Sequence, residues 1–202
     1  MNTGSIVYVA LGDSTGAGVG AVEGGYVARL YRRILQHRPG SQLVNVCVSG
    51  ATSADVVREQ LDAGVQKNPQ LVTLGIGIND IGHNVPIARF AENYEHILTT
   101  LKEKTQAQIV VTNIPDVSSA PVVPSSLRYH YQQQIETFNL RLEEIAKRHG
   151  VTVYDIYSIT TRDLPTHPEY FSRDGFHPSD AGYELWAMEM WPTIARTIGA
   201  TD

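Results

Sequence analysis

Residues 6–20 read Ile6-Val7-Tyr8-Val9-Ala10-Leu11-Gly12-Asp13-Ser14-Thr15-Gly16-Ala17-Gly18-Val19-Gly20. Six apolar or aromatic residues with β preference stand without a polar break, and glycines end the run. A strand apolar on both faces belongs in a parallel sheet covered on both sides, not in a sheet with one wet face. Similar runs recur at 43–48, 71–76, 108–112 and 151–154.

Helical stripes separate these runs. Tyr26, Leu30, Tyr31 and Ile34 share one face, Val57 and Leu61 another, and Ile87, Phe90, Tyr94, Ile97 and Leu101 a third. Leu127, Tyr131, Ile135, Phe138, Leu142 and Ile145 advance in steps of four and three, which reads as core packing. A last helix is expected from about Ser179 toward Ile198, with Pro192 kinking or restarting it. Strands alternating with helices predict an α/β protein. The expectation is a three-layer α/β/α sandwich with a five-stranded parallel sheet in the flavodoxin-like order 2-1-3-4-5. Such sheets bind ligands at the carboxyl ends of their strands, near the reversal of order between strands 1 and 3.

The 202 residues are expected to form a single domain, 1–202, with a core that needs no disulfide. Hydrophobic residues at 42% and charged residues at 18% exclude a disordered chain. Sixteen Lys and Arg against 21 Asp and Glu give a net charge of −5 without a basic patch, which speaks against nucleic acid and anionic membrane surfaces as partners. The one cysteine, Cys47, allows neither an intrachain disulfide nor a Cys-based metal site, and it reads as a small buried hydrophobe. The apolar stretch 6–11 is too short to span a bilayer, and no basic segment marks it as a signal peptide. A cytoplasmic location without stable membrane insertion is therefore expected, or secretion if the chain is a trimmed mature form. The sequence does not fix the oligomeric state.

The residues after each strand carry the chemistry. After strand 1, the glycine-rich loop has two functional readings: a cradle of N–H groups for phosphate, or a turn that presents Ser14 as a nucleophile. A plain turn with Ser14 as helix cap is the bland alternative. Neither GxGxxG nor GxxxxGK[ST] occurs, and the loop has no Lys. After strand 2, Gly50 in Ser49-Gly50-Ala51-Thr52-Ser53 leaves an N–H accessible, or the segment is simply a turn capped by Thr52 or Ser53. After strand 3, Asn79 in Gly75-Ile76-Gly77-Ile78-Asn79-Asp80 offers side-chain donors to an oxyanion, or marks a turn.

After strand 5 a long loop, 156–173, is expected to carry Asp174-Gly175-Phe176-His177-Pro178 back over strand 1. His37, His96, His130 and His149 read as solvated residues on helices, and His83 and His167 as loop residues close enough to touch a substrate. Only His177 has an acid, Asp174, at short fixed spacing. The pieces form a set: Ser14 as nucleophile, His177 as base, Asp174 to orient it, and three oxyanion donors in Ser14 N–H, Gly50 N–H and the Asn79 amide.

In that ordered set the chain resembles the GDSL or SGNH hydrolase family, whose four-letter name lists its Ser, Gly, Asn and His. They match Ser14 in Gly12-Asp13-Ser14, Gly50 in Ser49-Gly50-Ala51-Thr52, Asn79 in Gly77-Ile78-Asn79-Asp80 and His177 in Asp174-Gly175-Phe176-His177-Pro178, over residues 6 to about 190. Thr15 stands where the family's nominal motif has Leu. The resemblance implies a three-layer α/β/α fold and an ester hydrolase that works through an acyl-enzyme on Ser14, with no metal or organic cofactor. Asp13 and Asp80 are read as braces for their loops.

Within that family, lipases, carboxylesterases, lysophospholipases, thioesterases and carbohydrate deacetylases are all represented, so the resemblance leaves the substrate open beyond a small-molecule ester. The rim of the site is expected from three loops, 81–86, 114–124 and 157–171, without a lid helix. A shallow, moderately apolar cleft of that kind suits short- to medium-chain esters. A flavodoxin-like phosphate-binding module without hydrolase activity is the competing reading from another class.

Overall fold

The computed structural model describes residues 4–200; the remaining termini of the expected 1–202 domain lie outside the described residues. Five strands form one parallel sheet in the order β2-β1-β3-β4-β5, as expected. The strands are β1 (Val7–Gly12), β2 (Gln42–Asn45), β3 (Leu71–Gly75), β4 (Gln108–Thr112) and β5 (Thr152–Tyr154). The helices are α1 (Ser14–Ala17), α2 (Tyr26–His37), α3 (Ser53–Asp55), α4 (Leu61–Val65), α5 (Ile78–Gly82), α6 (Ile87–Lys104), α7 (Arg128–Arg148), α8 (Ile156–Asp163) and α9 (Asp180–Ile198). A π-helical turn, Val56–Gln60, joins α3 to α4.

The period of two along β1 divides the core. Val9 and Leu11 point into one apolar layer with Phe90, Ile97, Ile135 and Leu142, under α6 and α7. Tyr8 and Ala10 point into the other, with Tyr26, Leu30, Trp186 and Met190, under α2 and α9. All four β1 residues are fully buried. At roughly 25 cal/mol per Å² of apolar surface, two layers of this kind supply most of the drive for folding. The buried Tyr8 hydroxyl is satisfied across the sheet by Thr73 Oγ1 at 2.8 Å. An ion-pair cluster ties α2 to α9: the buried Arg29, 4% exposed, bonds the half-exposed Asp180 Oδ1 at 2.6 Å and Glu184 Oε2 at 2.9 Å, and the Gly24 carbonyl at 3.1 Å.

Four expectations need correction. Strand 2 ends at Asn45, although the N–H groups of Val46 and Val48 still donate to the Ala10 and Gly12 carbonyls at 3.0 and 3.1 Å. Pro192 does not restart α9, which runs unbroken from Asp180 to Ile198 with the proline inside it. The carbonyl that loses its helical partner there belongs to Met188, which is 51% exposed and open to water. The segment 156–173 is not a plain loop. It holds α8, capped by Asp155 accepting from Ser158 N–H, and a 3-10 turn at Pro168–Tyr170. Leu127, grouped with the α7 stripe, lies in a 3-10 turn before that helix and is 43% exposed.

At the centre of the sheet Gly12 pairs with Gly75. Gly12 has φ +153°, and a Cβ there would meet the Gly75 carbonyl oxygen at 2.4 Å. Gly12→Ala therefore forces both backbone strain and separation of β1 from β3. It should cost roughly 2–4 kcal/mol, read as a lower urea midpoint at unchanged m-value.

Candidate active site

Asp13 stops β1 and starts α1. Its Oδ1 accepts Thr15 N–H and Thr15 Oγ1, each at 2.9 Å, which closes the first turn and leaves Ser14 as the first helical residue. Ser14 is 4% exposed, so the turn holds it at the cleft floor instead of in free solvent. Gly16 lies so close to Cys47 that a Cβ there would meet its Sγ at 2.4 Å. Burial pushes the Cys47 thiol up, followed by repulsion from Asp13, so it is no rival nucleophile.

The second part arrives from the far edge of the sheet. An antiparallel bridge between Phe171 and Pro178 pinches the intervening turn, and Ser172 N–H donates to the His177 carbonyl at 2.8 Å. Gly175, at φ +70°, supplies the left-handed residue that the turn requires. Asp174 Oδ1 then collects Ser172 Oγ at 2.9 Å, Phe176 N–H at 2.8 Å and His177 N–H at 2.9 Å. Its Oδ2 lies 2.6 Å from His177 Nδ1, and His177 Nε2 lies 2.9 Å from Ser14 Oγ. This network assigns the Nδ1–H tautomer, with Nε2 free to accept from the serine hydroxyl. Partial burial pushes the Asp174 carboxyl up, but the bonds from the His177 ring, the two N–H groups and Ser172 outweigh it and hold the carboxyl well below the usual range.

The third part comes from the ends of β2 and β3. Gly50, at φ +80°, has open space around its Cα, and its N–H has no acceptor among the described residues. Asn79, on the first turn of α5, donates one Nδ2 hydrogen to the Ala51 carbonyl at 2.9 Å, which leaves its second hydrogen available. No bond joins Gly50 directly to Ser14; the two sit at the ends of neighbouring strands. Asp80 is fully buried and accepts Ser53 N–H at 2.9 Å and Ser53 Oγ at 2.6 Å, while Asn93 Nδ2 donates to the same hydroxyl at 3.0 Å. That bridge locks the loops after β2 and β3 together. Burial raises the Asp80 carboxyl against these bonds.

Beside Ser14 and His177 runs an apolar slot lined by Val117, Ile156, Ile159, Leu164, Phe171, Leu185 and Trp186. Trp186 is held flat on Tyr26, rings 4.7 Å apart and 5° from parallel. The expected rim is thus only partly right. The slot is walled by α8 and α9, neither of which was expected there, and it is more enclosed than loops alone would make it. The apolar face of α8 (Ile156, Ile159) and its Asp155 cap were visible in the sequence, but an eight-residue helix offers only two turns of pattern. A second recess lies on the Asn79 side, near His83, Val122, Val123 and Tyr131. His83 is there as expected. His167 is paired with Glu169 at 2.8 Å and stacked on Tyr170, outside both recesses. Of the helical histidines, His96 and His130 are exposed, whereas His37 lies against Trp191 and His149 bonds Glu95 at 2.6 Å.

Among the described residues no group of three or more His, Cys, Asp or Glu could hold a metal ion, and no helix is long and apolar enough to cross a membrane.

A model of the GDSL-like lipase/acylhydrolase family matches residues 10–185. Phospholipase B1, membrane-associated, of Homo sapiens is 24% identical over 210 aligned residues, which cover 79% of this chain; the chain spans 14% of that protein's length. The lipase/acylhydrolase of Enterococcus faecalis superposes with a TM-score of 0.74 at 25% identity, covering 93% of this chain and 94% of that one. The acetylxylan esterase Axe2 of Geobacillus stearothermophilus superposes with a TM-score of 0.76 at 20% identity over 98% of this chain and 97% of its own, a likeness of fold.

Asp13 gives a test of the electrostatics. Burial pushes its carboxyl from 3.8 up to about 6, against the Thr15 bonds and the nearby His177. A raised carboxyl means that the folded state holds the proton more tightly, so this contribution is full below about pH 4 and is lost as pH rises through about 6. Asp13→Asn keeps an acceptor for Thr15 and removes the titration. The variant should gain on the wild type by up to roughly 3 kcal/mol between pH 4 and pH 7.5. Parallel urea titrations at the two pH values measure that difference, and a constant gap would refute it.

Proposed function

The chain belongs to the GDSL-like lipase/acylhydrolase family, and we propose that it cleaves short- to medium-chain carboxylic esters through an acyl-enzyme on Ser14. The observation that carries this reading is the unbroken relay Asp174 Oδ2–His177 Nδ1, 2.6 Å, and His177 Nε2–Ser14 Oγ, 2.9 Å, opening on an apolar slot. In the proposed reaction, His177 Nε2 takes the Ser14 proton as Oγ attacks the ester carbonyl. Asp174, held ionised, steadies the ring and the imidazolium that forms. The carbonyl oxygen becomes an oxyanion facing Ser14 N–H, Gly50 N–H and the spare Asn79 hydrogen. His177 returns its proton to the leaving alcohol, and water then repeats the sequence on the acyl-enzyme. No step calls on a metal or organic cofactor.

The slot gives the acyl chain its place. Its walls are almost wholly apolar, so each buried methylene gains about 0.8 kcal/mol, roughly fourfold in kcat/KM, until the slot is full. The phosphate-module reading draws no support from the loop after β1, where the buried Asp13 carboxyl itself takes the Thr15 N–H.

Ser14→Ala should lower kcat on p-nitrophenyl butyrate by on the order of 10⁴ and abolish labelling by a fluorophosphonate. A folded Ser14→Ala protein with near-wild-type turnover would remove Ser14 from the reaction.

For chain length, kcat/KM should rise from acetate toward octanoate and fall at palmitate. Leu185→Trp, which fills the slot, should cut the octanoate-to-acetate ratio roughly tenfold or more, since about two methylenes lose their place. A maximum at palmitate, or activity confined to thioesters or acetylated sugars, would overturn the assignment of substrate.

A further inference from the structure

The π turn puts an amide where its neighbours Val56 and Leu61 are buried and apolar. Gln60, its last residue, is 1% exposed. Its Oε1 accepts Gly12 N–H at 2.8 Å and its Nε2 donates to the Gly12 carbonyl at 2.8 Å. One primary amide thus grips both polar groups of a single peptide residue, in the one orientation that satisfies all four atoms. Gly12 is the last residue of β1, and Ser14 follows two positions later.

The same helical segment reaches the other two strand ends. Its lead-in supplies Gly50 and the Ala51 carbonyl that holds Asn79, and its first residue, Ser53, holds Asp80. An α-helix with no interruption could not serve both ends as found. The Val56–Gln60 turn closes through Leu61 N–H to the Val56 carbonyl, an i→i+5 bond. It carries one residue more than an α turn, which rotates what lies beyond it by about 100° relative to α3. The turn therefore sets the phase at which Ser53 meets Asp80 while Gln60 meets Gly12.

From this juxtaposition we infer that Gln60 is a positioning residue for the reaction: its two-bond grip on Gly12 holds Ser14 Oγ and the Ser14 N–H in register with the Gly50 and Asn79 donors. The inference rests on the reading of Ser14 as nucleophile. Gln60 touches no reacting atom. It acts through the Gly12–Asp13–Ser14 backbone, where a displacement of an ångström is enough to cost about 10² in rate.

Gln60→Leu keeps the size and removes both bonds. In the folded variant kcat on p-nitrophenyl butyrate should fall roughly 10- to 100-fold with KM within about twofold of wild type. Butylboronic acid, which forms a tetrahedral anionic adduct with a serine, should lose affinity by the same factor, and inhibition by butanol should not change. An unchanged kcat overturns the inference, as does an equal loss of boronate and butanol affinity, which would mean a general loosening of the cleft. If Gln60→Leu does not fold, Gln60→Met takes its place. The thioether keeps the length of the side chain and has no donor for the Gly12 carbonyl, so a lowered kcat at constant KM is expected and a wild-type kcat overturns the inference. Ser14→Ala is assayed in parallel: activity retained there defeats the nucleophile assignment itself, whereas an inactive Ser14→Ala beside a fully active Gln60→Leu defeats only the role of Gln60.

Discussion

β1 and β3 approach each other so closely at Gly12 and Gly75 that a single methyl group would collide with a carbonyl oxygen. That contact is where the sheet stops being a packing device and becomes a platform. Because neither residue carries a side chain, the two strands can end level with each other, and the segments that leave them, Asp13-Ser14 and Ile76 to Asp80, start side by side. The turn at Ser14, the loop that carries Asn79 and the clamp from Gln60 all take their position from those two peptides. A sheet with ordinary side chains there would hold its strand ends farther apart, and a hydrogen-bond relay with ångström tolerances could not be built on it.

The carboxylates around the site are divided by environment. Asp174 is held ionised by four donors at the cleft edge. Asp13, only one residue from Ser14, is buried with its donors on one oxygen, so its charge is disfavoured. Asp80 is buried as well, but it spends both oxygens on Ser53. Three acids of the same chemistry thus differ in their readiness to ionise, chiefly through burial and donor count. Of the three, the carboxylate that ionises most readily is Asp174, the one in contact with the imidazole.

Much of this was legible in the sequence, for reasons that differ by element. The β1, β3 and β4 runs stand out because central strands are apolar on both faces; alternation with helices implies a parallel sheet, and its small size favours order 2-1-3-4-5 over the Rossmann order. The Ser14, Asp174 and His177 cluster was legible because its members follow strand ends or sit in one tight turn, where Asp-Gly marks the bend. What stayed hidden was what depends on tertiary phase. Gln60 lies on a short amphipathic stretch and looks like a solvated polar residue; only the π turn, which has no sequence signature, rotates it inward. Leu185 and Trp186 fall within the helix expected from about Ser179, and nothing local says that this part of it also walls a slot. The run 43–48 overreaches strand 2 because Val46 and Val48 prolong the apolar stretch beyond Asn45, where regular pairing ends though single bonds to β1 continue.

The position of β1 also bears on how the chain is made. It is the earliest strand of the sheet, yet it sits between β2 and β3, and its partner Gly75 lies 63 residues after Gly12 (75 − 12). At about 5–20 residues per second, a ribosome needs roughly 3 to 13 s to deliver β3 after β1 has emerged. For that interval the sticky edge of Val7–Gly12 has no partner on that side, and the face carrying Val9 and Leu11 lacks the α6 and α7 layer that covers it. Nascent chains of this fold therefore pass through a window of seconds in which translation speed and chaperone occupancy, more than the stability of the finished sheet, govern how much protein reaches the native state.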